Sequence, residues 1–521
     1  MNFIFLIFTS ALMLIFALFL RIYPLLRYRN RGCDSFYFLL TAEEFRKQKK
    51  IPIRLPPYYL LDIEEQWYPP GFTIFLSLFP KSFLGKYYWV ISPLLDCVQL
   101  IVVYYFTFFL TGSWIASFLA GILYSLTPTL IEENSSLNSR ALASLLLTAF
   151  MLSLFFLRRS SIGWIIVPLI LGMSILLTHK LTIQAIFFVL FFLLIVDFNP
   201  YYLILLFGTP LFTLIMSKGF YWKVLKGHYD ILKFWNRNWR NLGAHQIYDS
   251  PVYYDKQKKR IIKKKHWDTL RKISDNTRQI RHTLSSNPLI CALFYLLIFH
   301  HNLLGQNFLF LTWWGISIFI LGVLTSTWSK FRFLGEGYKY IKYSVFPVSI
   351  VVGANILSLI RSDISYLALL VFLLIVALGK IFLRDYPMIS SARERIGVVD
   401  SNSRHIINFV KRNDLDRILC LPASLCDMLV YYCRVKVLWG THHYNFNSAV
   451  QPFFPVLQKP IQHFVKKYDL KVVVTDDNYV DFKQLKVPDM KEIYCRGKYH
   501  IYSYSNKNKM FHKLAKCSIR I

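Results

Sequence analysis

Four polar stretches interrupt a sequence that is otherwise rich in hydrocarbon, and each holds residues able to do chemistry. The first follows the opening apolar segment and reads Arg31-Gly32-Cys33-Asp34-Ser35-Phe36-Tyr37, with Trp67-Tyr68-Pro69-Pro70-Gly71 leading back into apolar sequence. A carboxylate such as Asp34 can take the proton from an attacking hydroxyl or amide; the plain alternative is a solvated acid paired with Arg31 or Arg27. The second, Thr127 to Asn134, carries Glu132 and Glu133, and Arg140 opens the next apolar run. A divalent ion is a candidate ligand there, although adjacent residues on a helix do not face the same way. The third, Leu177-Thr178-His179-Lys180-Leu181, sets a cationic pair between two apolar runs. Lys or protonated His at such a place can hold a phosphate and stabilise it as it leaves, or simply snorkel to lipid headgroups. The fourth runs from Lys330 to Tyr340. Arg332 there offers a bidentate fork for phosphate, and Glu336, four residues on, would share its face if the stretch were helical.

The elements that position these residues belong to a membrane protein. The 521 residues are 55% hydrophobic and 17% aromatic, outside ordinary globular usage. A spanning helix needs about 20 mostly apolar residues, since every backbone polar group in hydrocarbon must be satisfied within the segment. Asn2–Leu20 reads as a retained anchor helix. Tyr87–Leu110, Ser113–Leu130, Ala141–Leu157, Ile162–Leu177, Leu181–Val196, Tyr201–Met216, Asn307–Thr327, Ser344–Ile360 and Ile364–Leu383 follow, and Pro288–Phe299 is a shorter candidate. That makes eleven spans, with Phe72–Leu84 as a re-entrant or interfacial helix.

With eleven spans, all four polar stretches fall on one face, together with everything after Leu383. The opposite face is nearly bare, carrying little beyond Arg158, Arg159, Asp197, Arg361 and Asp363. Polar chemistry in a membrane protein needs groups that only the loaded face supplies. The segment Lys218–Ser286 holds 17 Lys/Arg against 5 Asp/Glu, a bias that turns short loops toward the cytoplasm and acts more weakly on long ones. Within it, Tyr221 to Trp239, with Trp222, Phe234 and Trp235, reads as a helix lying in the interface, and Lys256–Lys265 is a basic run. The net charge of +32 is scattered through membrane loops without a nucleic-acid-binding pattern, so anionic lipid phosphate is the expected partner and nucleic acid is not.

After the last span the pattern changes. Asp416–Leu421 reads as a strand, Ala423–Tyr432 as a helix, Lys436–Trp439 as a second strand, and Lys471–Thr475 as a β-branched run stopped by Asp476 and Asp477. Tyr494–Tyr504 alternates around Gly497 like a hairpin. The expected fold is mainly α: a polytopic transmembrane bundle over residues 1–384, with a first loop at 21–70 and a basic interfacial loop at 218–286, followed by a small α/β domain over 385–521. His442 and His443 are the most reactive-looking pair of that domain, and the plain reading makes them loop residues capping it. The eight cysteines, Cys33, Cys97, Cys291, Cys420, Cys426, Cys433, Cys495 and Cys517, form no CxxC pair and no His/Cys ligand spacing, so sequence supports neither zinc nor a redox motif.

An acid shortly after the first span, a short helix-like stretch and an aromatic Pro-Pro-Gly return resemble the first loop of the GT-C membrane glycosyltransferases, of which the protein mannosyltransferases and aminoarabinose transferases are examples. The resemblance implies transfer of a sugar from a polyprenyl-phosphate donor to an acceptor protein, lipid or glycan, at the extracytoplasmic face of the cell membrane. It implies Asp34 as catalytic base, His179, Lys180 and Arg332 as donor-phosphate ligands with Arg140 beside them, and Glu336, Glu43 and Glu44 as supporting acids. Related sequences often carry a second acid directly after the first; Ser35 stands there here. A metal, if used, would fall to Glu132 and Glu133, which lack the alternating spacing of the family's acidic motif. The same face implies an extracytoplasmic C-terminal domain, against the basic bias of Lys218–Ser286. A transporter or flippase, and a polymerase of lipid-linked oligosaccharides, are the competing readings; the former predicts paired repeats and helices broken at mid-membrane, which the sequence does not display.

Overall fold

The computed structural model describes residues 2–52, 55, 58–61, 68–159, 161–239, 277–360, 362–390, 398–440, 442, 446–454, 458–477, 480, 482, 487 and 489–504. Trp67, the basic run Lys256–Lys265, Arg361, His443 and Cys517 lie outside them.

All eleven apolar stretches fold as helices. Seven are long and apolar enough to cross a bilayer: Ile4–Leu25, Lys81–Thr111, Ser139–Leu157, Lys180–Asp197, Gln306–Thr327, Tyr338–Leu359 and Ile364–Ser390. Thr277–Ser286 and Ile290–Phe299 form a pair bent by 85°, an eighth span if taken together, and Trp114–Ser125, Ile162–Leu176 and Pro200–Met216 are shorter apolar helices. The last long helix continues to Ser390, through the expected boundary at 384 and 385. Phe72–Leu84 resolves into a short helix, Gly71–Ser77, and the start of the long helix Lys81–Thr111.

The first helix α1 (Asn2–Ile22) shows how these segments are read by solvent. Leu6, Met13, Ala17 and Leu20 are buried, whereas Ile4, Phe8, Ile15 and Phe19 are more than half exposed and require lipid. On the nearly bare face, charge is satisfied locally. Arg158 pairs with Asp197 at 3.0 Å, and Asp363 accepts from His300 at 2.7 Å and Tyr295 at 2.8 Å.

The C-terminal α/β region carries strands β1 (Ile418–Leu421), β2 (Val472–Asp476), β3 (Met490–Arg496) and β4 (Tyr499–Tyr504), in the order β1-β2-β4-β3. β1 and β2 are parallel, and the hairpin around Gly497 forms as its alternation predicts. The expected strand Lys436–Trp439 is reduced to an isolated parallel bridge between Val437 and Ile418. Val437 also bridges Tyr59 of the first loop, with Leu60 N–H donating to Val437 O at 2.9 Å and Leu61 N–H to Leu438 O at 3.0 Å. A piece of the first loop thereby extends the sheet of the C-terminal region.

This pairing joins two parts that the sequence presents separately. Helix α2 (Cys33–Gln48) buries Phe36, Phe38, Leu39 and Leu40 in one apolar core with Ile418, Leu429, Val473 and Ile501. The Tyr59 hydroxyl donates to Asp427 at 2.7 Å, and Arg434 donates to Glu43 at 2.5 Å. The helix Phe220–Asn238 also joins this junction. Phe234 is buried, facing Phe454 in a stacked arrangement, and Asn447 donates to Asp230. Its role is therefore more than the interfacial seat expected from its tryptophans, although Trp222 remains exposed.

Candidate active site

Asp34 stands in the first turn of α2, and the chain is shaped to put it there. Gly32 takes φ +96°, a conformation L side chains rarely adopt, and a Cβ on it would meet Ser35 Oγ at 2.4 Å. Ser35 is buried, donating to Arg31 O at 2.9 Å and Leu137 O at 3.0 Å. It fixes the turn. Arg31 is buried, donating to Ile389 O at 2.5 Å. The Asp34 side chain is 39% exposed.

The Pro-Pro-Gly return brings the third polar stretch to the same place. Gly71 N–H donates to Leu177 O at 2.6 Å, and a Cβ on Gly71 would meet Thr178 Oγ1 at 2.5 Å. Only glycine permits that approach, which sets Tyr68 beside the end of the helix Lys180–Asp197. Asp34 and Arg140 act electrostatically on each other and on both Tyr68 and Lys180. Tyr68 also shares a hydrogen bond with Ser139, and its buried hydroxyl is pushed well above the usual phenol range, chiefly by desolvation.

His179 is buried at the same helix end, with Nδ1 3.3 Å from Thr182 Oγ1. Burial pushes its pKa far below the ordinary imidazole range, and Arg140, Lys180, His442 and His228 push the same way. The ring is neutral at physiological pH, so the cationic pair expected from sequence is one cation, Lys180, beside a neutral imidazole.

His442 is the residue that sequence reasoning set aside. It follows the Val437 bridge by five positions, and that bridge carries it into the cleft, where Nε2 lies 3.9 Å from Asp34 Oδ2. Its ring stacks on Tyr68, with centroids 4.6 Å apart at 10°, and meets Tyr37 and Phe38 edge-on at 4.8 and 5.1 Å. The signal missed was long-range: Val437 and Leu438, just ahead of His442, pair with the first loop.

The second and fourth stretches separate into parts. Arg140 Nε pairs with Glu133 Oε2 at 2.8 Å, and Glu132 pairs with Lys380 at 3.1 Å, which in turn binds Asp385 at 3.1 Å. Burial raises the Glu132 carboxyl, but Lys380 outweighs it and holds the group below the usual range. The two acids serve different cations, as adjacent helical residues must. Neither belongs to a metal-ligating group among the described residues.

Arg332 and Glu336 do not form the i,i+4 pair that a helix would have allowed. Arg332–Leu334 is a single 3₁₀ turn, and helix resumes only at Tyr338. Arg332 lies over the Trp239 ring at 5.4 Å, while Glu336 pairs with Lys339 and accepts from Tyr338. Burial alone would raise the Glu336 carboxyl; Lys339 reverses this and holds it low, and Arg140 adds to the effect. Glu336 thus borders the cleft through Arg140. Glu43 and Glu44 lie at the other end of α2. Glu43 binds Arg434 and Lys81, and Glu44 binds Lys47 at 2.7 Å. The helix rises about 1.5 Å per residue, so nine positions carry these acids well away from Asp34.

No family model matches the sequence, and no curated protein matches it. Among solved structures, the oligosaccharyltransferase of Archaeoglobus fulgidus in its apo form aligns with a TM-score of 0.57 at 12% identity, over 97% of this chain and 75% of that one. The same protein, AglB, in complex with an inhibitory peptide and a dolichol-phosphate aligns at 0.55 and 12% identity, over 90% and 69%. ArnT from Cupriavidus metallidurans bound to undecaprenyl phosphate aligns at 0.54 and 13% identity, over 95% and 97%. The likeness to these structures extends, as a fold, along almost the whole chain: a polytopic helical bundle with a C-terminal sheet.

Proposed function

We propose that this chain is a multi-pass membrane glycosyltransferase, which moves a sugar from a polyprenyl-phosphate-linked donor to an acceptor at its loaded face. The observation that carries the reading is the convergence of a partly exposed carboxylate, Asp34, with the cations Arg140 and Lys180 at the ends of membrane helices. The fold adds support, since its neighbours have been captured with dolichol-phosphate and with undecaprenyl phosphate.

In this mechanism Lys180 and Arg140 hold the donor phosphate where the lipid headgroup meets the cleft. Asp34 accepts the proton of the acceptor's hydroxyl or amide as that group attacks the anomeric carbon. The bond from that carbon to the phosphate oxygen breaks, and its electron pair leaves on the phosphate, where the cations stabilise the growing charge. Inversion in one displacement needs no covalent intermediate on Asp34. Arg332 lies at the flank over Trp239 and serves the lipid side, while Glu336 tunes Arg140 through its field. Glu132 and Glu133 are committed to Lys380 and Arg140, and no step passes through a metal at them.

The region after residue 385 takes part by supplying His442 to the cleft, which suits selection of a protein, lipid or glycan acceptor. We assign this face to the extracytoplasmic side; a tag after Ile521 labelled only from the cytoplasm would overturn that assignment. The reaction itself is tested by reconstituting the purified chain with a labelled polyprenyl-phosphate sugar and candidate acceptors. Release of polyprenyl phosphate coupled to labelled acceptor is the expected result. Movement of intact donor between leaflets without bond cleavage would favour a flippase and defeat the proposal.

A further inference from the structure

A second constellation lies at the far edge of the C-terminal sheet. Counting Tyr59, Val437, β1, β2, β4 and β3, five strand spacings separate the first loop from β3, roughly 24 Å at the usual spacing. There Cys495 pairs in register with His500 across the hairpin, so both side chains leave the same face. A register shift between Glu492 and Tyr494 places Glu492 opposite Tyr502, two positions from His500. Without that bulge Ile493 would occupy the position; with it, Glu492 joins the face of Cys495 and His500.

The ligand atoms of Glu492, Cys495 and His500 all lie within 4.8 Å of one another. His500 Nε2 is 3.8 Å from Cys495 Sγ and 2.7 Å from Asp477 Oδ2, while Nδ1 is 2.9 Å from Glu492 Oε2. A tetrahedral zinc with ordinary bond lengths separates a thiolate sulfur from an imidazole nitrogen by about 3.6 Å, close to the spacing found. Carboxylates flanking both nitrogens would by themselves make a surface ion pair. The thiol on the Nε2 side changes the chemistry, because thiolate with imidazole and carboxylate selects a borderline-soft ion over calcium or magnesium.

We propose that Glu492, Cys495 and His500 form a zinc site, with Asp477, 2.7 Å from the ring, fixing its orientation. The hairpin turn at Gly497 brings Cys495 and His500 opposite each other.

The test uses the full chain in detergent, reduced and stripped of metal, titrated with zinc against a chromophoric chelator and separately with cobalt. One zinc per chain and a thiolate-to-cobalt charge-transfer band are expected. Cys495→Ser should abolish the band, His500→Ala should weaken zinc binding at least tenfold, and Glu492→Gln should weaken it about 10-fold. Asp34→Asn should leave binding unchanged, which separates this site from the cleft. Absence of the cobalt band, or equal zinc binding by the wild-type chain and Cys495→Ser, would overturn the proposal. Elution of each variant as a single species checks that loss of metal is not loss of fold.

Discussion

Two acids in the membrane half of this protein meet cations, and they do so in opposite ways. Asp96 is closed: Arg21 binds it directly, Tyr124 donates to it at 2.8 Å, and both charged side chains are 1% exposed. Asp34 is open: its side chain is 39% exposed, Arg140 and Lys180 act on it electrostatically, and His442 lies 3.9 Å away. A closed pair repays its desolvation only through its own partner and has no capacity left for a ligand. An open constellation leaves a partly exposed acid with two cations acting on it, the arrangement that an anionic substrate and a departing proton require.

The contrast breaks most visibly at Asp34. Asp34→Asn should lower transfer by about 10²–10⁴-fold, the range for a lost general base, with the melting temperature nearly unchanged; radiolabelled transfer and a thermal shift read both. Lys180→Ala should cost about 10²-fold in turnover and raise the KM for the lipid-linked donor. Asp96→Asn should do the reverse. It strands the buried Arg21 and should destabilise the protein by about 3–5 kcal/mol, while the fraction that stays folded transfers sugar within a few-fold of the wild-type rate. Equal catalytic losses for Asp34→Asn and Asp96→Asn would erase the distinction.

A smaller effect concerns pH. The neutral His179 has a folded pKa far below that of the unfolded chain, about 6.5. Its contribution to stability is complete above that value and is lost as pH falls below it, because the unfolded state then binds the extra proton. Unfolding midpoints from pH 8 to 5 should therefore drop less steeply for His179→Gln than for the wild-type chain. Smallest of all, Glu44→Gln should leave turnover within about twofold and cost roughly 1 kcal/mol or less, since its partner Lys47 is mostly exposed.

The membrane helices were legible because hydrocarbon imposes length and composition on each of them. The same constraint made Asp34, Arg140 and Lys180 conspicuous, since ionisable residues at helix ends interrupt an otherwise apolar text. Contacts formed across long sequence separations were not legible. Glu43 looked like a supporting acid until Arg434, nearly four hundred positions away, claimed it. Arg332 and Glu336 were read with helical spacing that the 3₁₀ turn removes. His442 reaches the cleft through a parallel bridge that depends on the fold of both partners. By contrast, the facing of Cys495 and His500 was contained in the hairpin reading and needed only the register to be counted from Gly497.

The central claim assigns the proton to Asp34 and the donor's phosphate to Lys180 and Arg140. It is tested most directly by measuring polyprenyl-phosphate affinity and transfer rate on the same preparations of Asp34→Asn and Lys180→Ala. The account predicts that Asp34→Asn binds the lipid phosphate at least as tightly as the wild-type chain while losing transfer, and that Lys180→Ala loses affinity. Transfer at the wild-type rate by Asp34→Asn would contradict it.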